Sequence, residues 1–367
     1  MAAAAALQFS DHRPKTSLHF ATDARPGSTR DETMHSARME KGAARATPSS
    51  GVPRMAQATL ARMAIRPGRT GMKAPTALLL IAALAASAPA MAGHPRPAIE
   101  RAADAVQPLV DEAGQRGIRV SVGLADVSRS DGAQRIIGST DSYNPASTIK
   151  LALLATVMRQ ADRGLLNLDA PIGISPYMVV GGAGDLQRQA MPFTTTVRDV
   201  ARRMVVLSDN TATNVLLYYV GLPTVQALLD DLGLQTMRFN RQMFPGEKIG
   251  EPANAIDTAD TLSLLHAIYI GDLLNEQSRR QVLDWMLAQE VDTKFGALPD
   301  TSRIAHKTGE TGTVTHDVGY FLVPGHETIV AVLAEVTTSD GYDETMRIGN
   351  PVVQDIANAV LDALDNP

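Results

Sequence analysis

Apolar residues recur at two periods along the chain, and the switches between them outline its elements. Ile99, Ala102, Ala103, Val106, Leu109 and Val110 fall at helical spacing and predict a helix over 94–113. Gly117 then opens IRVSVGLADV, which alternates as a strand does, and AQRIIGST can pair back on it across the polar SRSDG turn. From Asn144 to about Gln289 the helical period dominates. Strand patterns return in SRIAHKT, DVGYFLV and ETIVAVLAEV, the last two joined by a turn at Pro324-Gly325, and a final helix is predicted from about Pro351 to Leu364. Strands at both ends with helices between imply an α/β chain of the two-lobe α+β kind. One antiparallel sheet is built from both termini and flanked by helices, with an all-α lobe of about 144–289 inserted. A cleft is expected where two such lobes meet.

Residues 1–71 break this pattern. They hold about nine Arg in Ala/Ser/Thr/Pro/Gly-rich sequence without lasting apolar periodicity, the composition of a disordered segment. MKAPTALLLIAALAASAPAMAG follows from Met72: a basic Lys73, an apolar run from Thr76 to Ala88 and an Ala90-Met91-Ala92 cleavage site. The run is too short to span a bilayer, and the three parts together make a secretory signal peptide over 72–92. Signal peptides work at a chain's start, so Met72 is expected to be the natural start and residues 1–71 a mis-assigned extension. Cleavage would leave a domain of 94–367, secreted or periplasmic, with no stable membrane insertion, expected to act as a monomer.

Composition narrows the chemistry. A net charge of −5 carries no nucleic-acid footprint. The chain has no Cys, so thiolate catalysis and Cys-based zinc sites are excluded. Its eight His show no HExxH or comparable spacing, so neither a metal nor another cofactor is expected.

Three short motifs remain. In SYNPASTIKLALLATVM, Asn144 suits a helix N-cap and Pro145 the first helical position, which sets Ser147 in the first turn among free backbone N–H groups. Lys150 lies at i+3 from Ser147, on the same helical face. A serine hydroxyl needs a base, and a lysine serves as one only when desolvation or a neighbouring cation lowers its pKa. The run Leu151 to Leu154 supplies the desolvation. Taken alone, S-x-x-K more often marks a surface lysine lying along its own apolar stem. In VRDVARRMVVLSDNTATNVLL the stripe Val197, Val200, Met204, Leu207 stops at Ser208-Asp209-Asn210 and a second helix begins with Thr211. Ser208 and Asn210 therefore fall on an inter-helix loop, although a plain capping turn has the same composition. In SRIAHKTGETGTVTHDVGYF, Lys307-Thr308-Gly309 ends a strand whose glycine lets a ligand approach the backbone. Lys307 can hold an anion and depress Lys150.

In order and on these elements, S-x-x-K, S-D-N and K-T-G make a set. The chain resembles the penicillin-recognising serine acyltransferases, and among them the class A β-lactamases. The resemblance covers essentially all of the expected mature chain and extends to GLLNLDAPI and THDVGYF. S-D-N also argues against the class C type and most carboxypeptidases. The resemblance implies a β-lactamase/transpeptidase-like fold and a small-molecule substrate, a β-lactam or a peptidoglycan stem. It implies Ser147 as acylated nucleophile, Lys150 as proton acceptor and Ser208 as relay to the lactam nitrogen. Asn210 would bind the substrate amide, Lys307 and Thr308 of the K-T-G stretch ending at Gly309 would bind its carboxylate, and the backbone N–H groups of Ser147 and Glu310 would form the oxyanion hole.

The chain departs from that family in one loop. RFNRQMFPGEKIGEPANAIDTAD lacks the E-x-x-L-N whose Glu activates the deacylating water, leaving Glu247, and after it Glu251, as the available acids. Without a placed base the acyl-enzyme would persist, as in a penicillin-binding protein. Gly181-Gly182-Ala183-Gly184 stands where relatives carry an aromatic wall, which predicts an open cleft entrance. Arg347 could replace the missing carboxylate-binding guanidinium, although it reads more readily as a plain surface arginine, and His306 reads as an ordinary strand residue. Three functions stay open: a β-lactam hydrolase, a DD-peptidase or esterase-like acyltransferase, and a binding module that kept the fold. The intact Ser147, Lys150, Ser208 and Lys307 argue against the last.

Overall fold

The computed structural model describes residues 96–128, 133–244 and 252–366. The extension, the signal segment and both Glu247 and Glu251 lie outside the described residues. All that follows concerns the unit from Ala85 to Pro367.

Helix α1 (Ala98–Gln115) leads into strands β1 (Ile118–Asp126) and β2 (Gln134–Gly138). After the helical lobe come β5 (Ile304–Glu310), β6 (Val314–Phe321), β7 (Thr328–Val336) and helix α8 (Tyr342–Asp365). The five strands form one antiparallel sheet in the order β2-β1-β7-β6-β5, so the first strand pairs with the last. The two ends of the domain thus build one sheet, as their alternating patterns require.

Both faces of the sheet are covered, and β7 shows how. Val330, Val332 and Ala334 pack with α1 and α8, while Ile329, Ala331 and Leu333 pack with the helical lobe. A period of two sends successive residues to opposite faces. A strand buried on both therefore reads as an unbroken apolar run, IVAVLA within TIVAVLAEV.

The lobe holds α2 (Lys150–Asp162), α3 (Val197–Val206), α4 (Asn210–Val220), α5 (Leu222–Asp231), α6 (Thr258–Tyr269) and α7 (Glu276–Leu287). It also carries a two-stranded ribbon, β3 (Pro171–Ile174) with β4 (Phe193–Thr196), too short for its alternation to stand out from the helical pattern. Helix α8 starts nine residues before the predicted Pro351, which sits inside it. A proline removes one helical hydrogen bond, but Val352, Val353, Ile356, Ala357 and Val360 are all buried, and their packing holds the helix through it. Among the described residues no single helix is long and apolar enough to cross a membrane.

Candidate active site

Strand β5 is an edge strand, and its free side meets the turn that carries Ser147. A Cβ on Gly309 would lie 2.9 Å from Pro145 O and 2.9 Å from Thr148 Cγ2. The glycine of K-T-G is therefore required by the close approach of this protein's own chain.

The turn is a 3-10 segment, Ala146–Ile149, and the α-helix begins only at Lys150. Asn144 does not cap an α-helix. Its Oδ1 accepts the Ala146 N–H at 3.0 Å, and Thr148 donates from N and Oγ1 to Pro145 O at 3.1 and 2.7 Å. Ala146 is held at φ +48°, a left-handed conformation that costs a residue with a Cβ roughly 1–3 kcal/mol. Buried His316 fixes the turn from beneath. Ala334 N–H donates to its Nδ1 at 3.1 Å, so Nε2 carries the proton donated to Asn144 O at 2.8 Å. Burial pushes the His316 imidazole down to about 4, which keeps this neutral form.

Lys150 is fully buried. Its Nζ donates to Ser208 O at 2.6 Å, Asn210 Oδ1 at 2.8 Å and Ser208 Oγ at 3.3 Å. Ser147, three residues before it, lines a cleft with Ser208 and Asn210 but is not among these partners. Lys307, equally buried, donates to the same Ser208 Oγ at 2.9 Å and to Thr308 O at 2.8 Å. Burial, and then the charge of Lys307, hold the Lys150 amine well below its ordinary value, against a smaller pull from Asp209. Burial also lowers Lys307, to about 7, with Asp317 and Glu310 opposing it. Desolvation and a like charge are the two effects that turn an ammonium into an amine near neutral pH. His306 is more than a strand residue: its Nδ1 lies 2.9 and 3.0 Å from the oxygens of buried Asp317, and Asp317 Oδ2 also accepts the Phe295 N–H at 3.1 Å.

The Ser-Asp-Asn stretch is built differently from the predicted loop. Asp209 is the N-cap of α4, accepting the Ala212 N–H at 2.7 Å, and Asn210 is the helix's first residue. Ser208 alone stands in the bend, at φ +54°. The glycine loop is folded onto this turn. Asn210 N donates to Ala183 O and Asn210 Nδ2 to Gly181 O, both at 3.1 Å, and Asp209 Oδ2 accepts the Leu186 N–H at 2.9 Å. A Cβ on Gly184 would fall 2.1 Å from Asp209 Oδ2. Phe244, from the loop after α5, brings its ring to 3.2 Å from where a Gly182 Cβ would be, so an aromatic wall comes from another segment.

Ser147, Ser208, Asn210, Thr308 and Glu310 line one cleft of about 740 Å³, and Gly309 lines it with them. Arg241, Gln242 and Met243 from the loop after α5, and Asn254, line it too. Asn214 clasps that loop, its amide exchanging hydrogen bonds with Met243 N and O at 2.8 and 2.9 Å. Arg347 is absent from the cleft lining: it is 72 % exposed on α8 and pairs with Glu344. The cation the sequence reading missed is Lys294, wholly buried and ion-paired with Glu310. A lone Lys in DTKFGALPD carries no periodic signal, because a single 3-10 turn places it. Among the described residues no group of three or more acidic or His side chains could hold a metal ion.

A family model described as a beta-lactamase enzyme family matches residues 101–364. Beta-lactamase L2 of Stenotrophomonas maltophilia is 30% identical over 204 residues, covering 54% of this chain and 67% of that protein. Beta-lactamase OXY-2 of Klebsiella oxytoca is 27% identical, covering 69% and 88%. Among solved structures, a beta-lactamase from Sphaerobacter thermophilus superposes with a TM-score of 0.64 at 26% identity, over 71% of this chain and 97% of that one. A mutant of PBP-A, solved as an acyl-enzyme complex with penicillin-G, superposes with a TM-score of 0.63 at 25% identity, over 74% and 98%.

Proposed function

Because the chain belongs to the beta-lactamase enzyme family, we propose that it opens the β-lactam ring by the class A route, through an acyl-enzyme on Ser147. Ser147 Oγ attacks the lactam carbonyl carbon and its proton passes to the neutral amine of Lys150. The backbone N–H groups of Ser147 and Glu310 receive the oxyanion. Ser208 donates its proton to the lactam nitrogen as the C–N bond breaks, and is reprotonated from Lys150. Asn210 binds the substrate's side-chain amide, and Lys307 and Thr308 bind its carboxylate. Water then cleaves the ester and restores Ser147.

The observation that carries this reading is the pair of buried lysines on the Ser208 hydroxyl, one of them held well below its ordinary pKa. Burial and a neighbouring cation both favour the proton-accepting form of a lysine so placed, and a serine three residues before it is what it would activate. The test is intact-mass measurement after exposure to a penicillin, beside turnover of a chromogenic cephalosporin. A Ser147 adduct that forms and clears, with loss of both signals in Ser147→Ala, is expected; hydrolysis undiminished in Ser147→Ala would end the proposal.

One observation favours a second reading, a penicillin-binding or esterase-like acyltransferase with slow deacylation. The chain between α5 and α6 carries no E-x-x-L-N, the stretch whose Glu activates the deacylating water in the family. We assign the deacylating base to Glu247. Glu247→Ala should then acylate normally and accumulate the adduct, whereas a wild-type adduct that already persists for hours supports the second reading. We further propose that the chain acts in the periplasm or outside the cell, with Gly93 as the first residue of the exported protein.

A further inference from the structure

The hydrogen-bond register of β5 decides which backbone groups face Ser147. Thr311 N donates to Val314 O at 2.9 Å and Leu322 N to Arg303 O at 2.8 Å. Paired residues of an antiparallel ladder alternate, so the odd-numbered residues of β5 spend their backbone groups on β6. The N–H of Glu310 therefore points to the free side of the strand, which meets the Ser147 turn. Glu310 is the last residue of that edge strand, where a single neighbouring strand steadies the backbone. Its side chain adds two further restraints. Lys294 Nζ pairs with Oε1, and the Tyr342 hydroxyl donates to Oε2 at 2.7 Å. Lys294 opens the 3-10 turn Lys294–Ala297 and Tyr342 opens α8, so the end of β5 is tied to two other elements. The 3-10 turn is itself tied to β6 by the Phe295 N–H on Asp317 Oδ2.

Stability alone is a poor reason for this arrangement. Lys294 is wholly buried, and its backbone is left-handed at φ +49°. A residue with a Cβ keeps that conformation only where its surroundings over-determine it, and such residues gather at functional sites. A buried ion pair adds little net stability, because desolvation offsets the attraction. What the pair does supply is a fixed position. Burial would raise the Glu310 carboxyl, but Lys294 and the Tyr342 hydroxyl outweigh it and keep it ionised. Burial, and then Glu310, raise the Tyr342 phenol, so it stays a donor. Glu310 also opposes the lowering of Lys307 by burial, so its charge supports the ammonium assigned to the substrate carboxylate.

We propose that Lys294 and Tyr342 are positioning residues for acylation: by gripping the Glu310 carboxylate they fix the backbone N–H of the same residue against the oxyanion that forms on the substrate carbonyl. This inference rests on Ser147 being the acylated nucleophile and on the Glu310 N–H being an oxyanion donor. A donor stabilises the transition state only when it is already aimed at the developing charge, so a loosened strand end slows the chemical step and leaves substrate binding nearly as it was.

The test reads acylation of Ser147 by benzylpenicillin and by its methyl ester, by intact mass in the full-length mature protein, beside the infrared band of the acyl-enzyme carbonyl. Tyr342→Phe removes one hydrogen bond and no charge, Lys294→Met removes the ion pair and Lys294→Arg keeps it. Acylation should slow about a hundredfold in Lys294→Met and about tenfold in Tyr342→Phe, with most of the rate recovered in Lys294→Arg. Both probes should slow alike, and the carbonyl band should move to higher frequency in Lys294→Met and Tyr342→Phe, because a weaker hydrogen bond polarises the carbonyl less. Slowing confined to the acid would make the cluster a carboxylate-binding device, and slowing with an unmoved band would make it a structural support. Either result overturns the proposal, as does an unchanged rate in Tyr342→Phe. Lys294→Met can fail to fold; Tyr342→Phe leaves the buried ion pair intact and then decides. If neither probe acylates Ser147 in the wild type, the acylation reading itself fails, a result distinct from acylation that these variants do not alter.

Discussion

Lys150 and Lys307, far apart in sequence, direct their side-chain nitrogens at the same oxygen, Ser208 Oγ, from 3.3 and 2.9 Å. Each is fully buried, and the charge of Lys307 helps to lower Lys150. The site therefore carries one amine suited to accept a proton and one cation near its midpoint at neutral pH, and their coupling makes the pH behaviour readable.

Removing the Lys307 charge lifts its repulsion from Lys150, so the Lys150 ammonium becomes easier to form. The acid limb of acylation, below which Lys150 is protonated, should move to higher pH in Lys307→Ala. The measurement is the pH profile of acylation by an uncharged ester, which keeps lost carboxylate binding out of the comparison. A limb that stays or moves down would break the link between the two lysines.

The same burial makes Lys307 a burden on stability. Its folded value of about 7 lies below the ordinary 10.5, so between these the unfolded chain binds the extra proton and folding strength should rise with pH. Lys307→Met should flatten that rise and stabilise the fold at neutral pH by a few kcal/mol, on the order expected when a desolvated charge is replaced by an apolar side chain. Denaturant unfolding at several pH values between 7 and 10 measures both effects.

His316 works in the opposite pH range. Its folded value of about 4 is below the ordinary 6.5, so the unfolded state takes up its proton first as pH falls, and stability is lost from about 6.5 down to 4. The full effect is on the order of 3 kcal/mol. His316→Gln should lose this component of acid sensitivity. It should also slow acylation, because the donor to Asn144 O that steadies the Ser147 turn is altered. Acid unfolding midpoints and acylation rates, taken together, check it.

Gly309 touches the turn that carries Ser147, so a methyl group there should do two things. Gly309→Ala should cost about 1–3 kcal/mol by overpacking against Pro145 O and Thr148. It should lower acylation by far more than that loss of stability explains, since the displaced backbone carries Ser147. Thermal unfolding beside second-order acylation separates the two. Full activity in this variant would mean that the turn yields freely.

Asp209 joins α4 to the glycine loop. Asp209→Ala removes the cap on the Ala212 N–H and the anchor of the Leu186 N–H, at an expected cost of about 1–3 kcal/mol. Hydrogen exchange should quicken at Leu186 and its neighbours, while amides of the β1–β7 pair keep their protection. Uniform quickening across the domain would count against a local role.

Much of this protein is written in local pattern. The periods of two and 3.6 mark the sheet strands and the long helices, because each buried face needs one apolar residue per repeat. The three motifs carry Ser147, Lys150, Ser208, Asn210, Lys307 and Thr308 because their chemistry demands those residue types at fixed spacing. Local pattern does not carry the partners made across long stretches of chain. Helical spacing couples Lys150 to Ser147, yet its ammonium is held by Ser208 and Asn210, about 60 residues on. Lys294 and Glu310 meet because a 3-10 turn packs against the end of β5, and Phe244 supplies an aromatic wall that the glycine loop lacks. Sequence alone determined the five-stranded sheet, the long helices and the residue types of the three motifs. Only the tertiary structure decided which charges are buried, which neutralise each other and which face the cleft, because desolvation and Coulomb energy depend on separation in space and not along the chain.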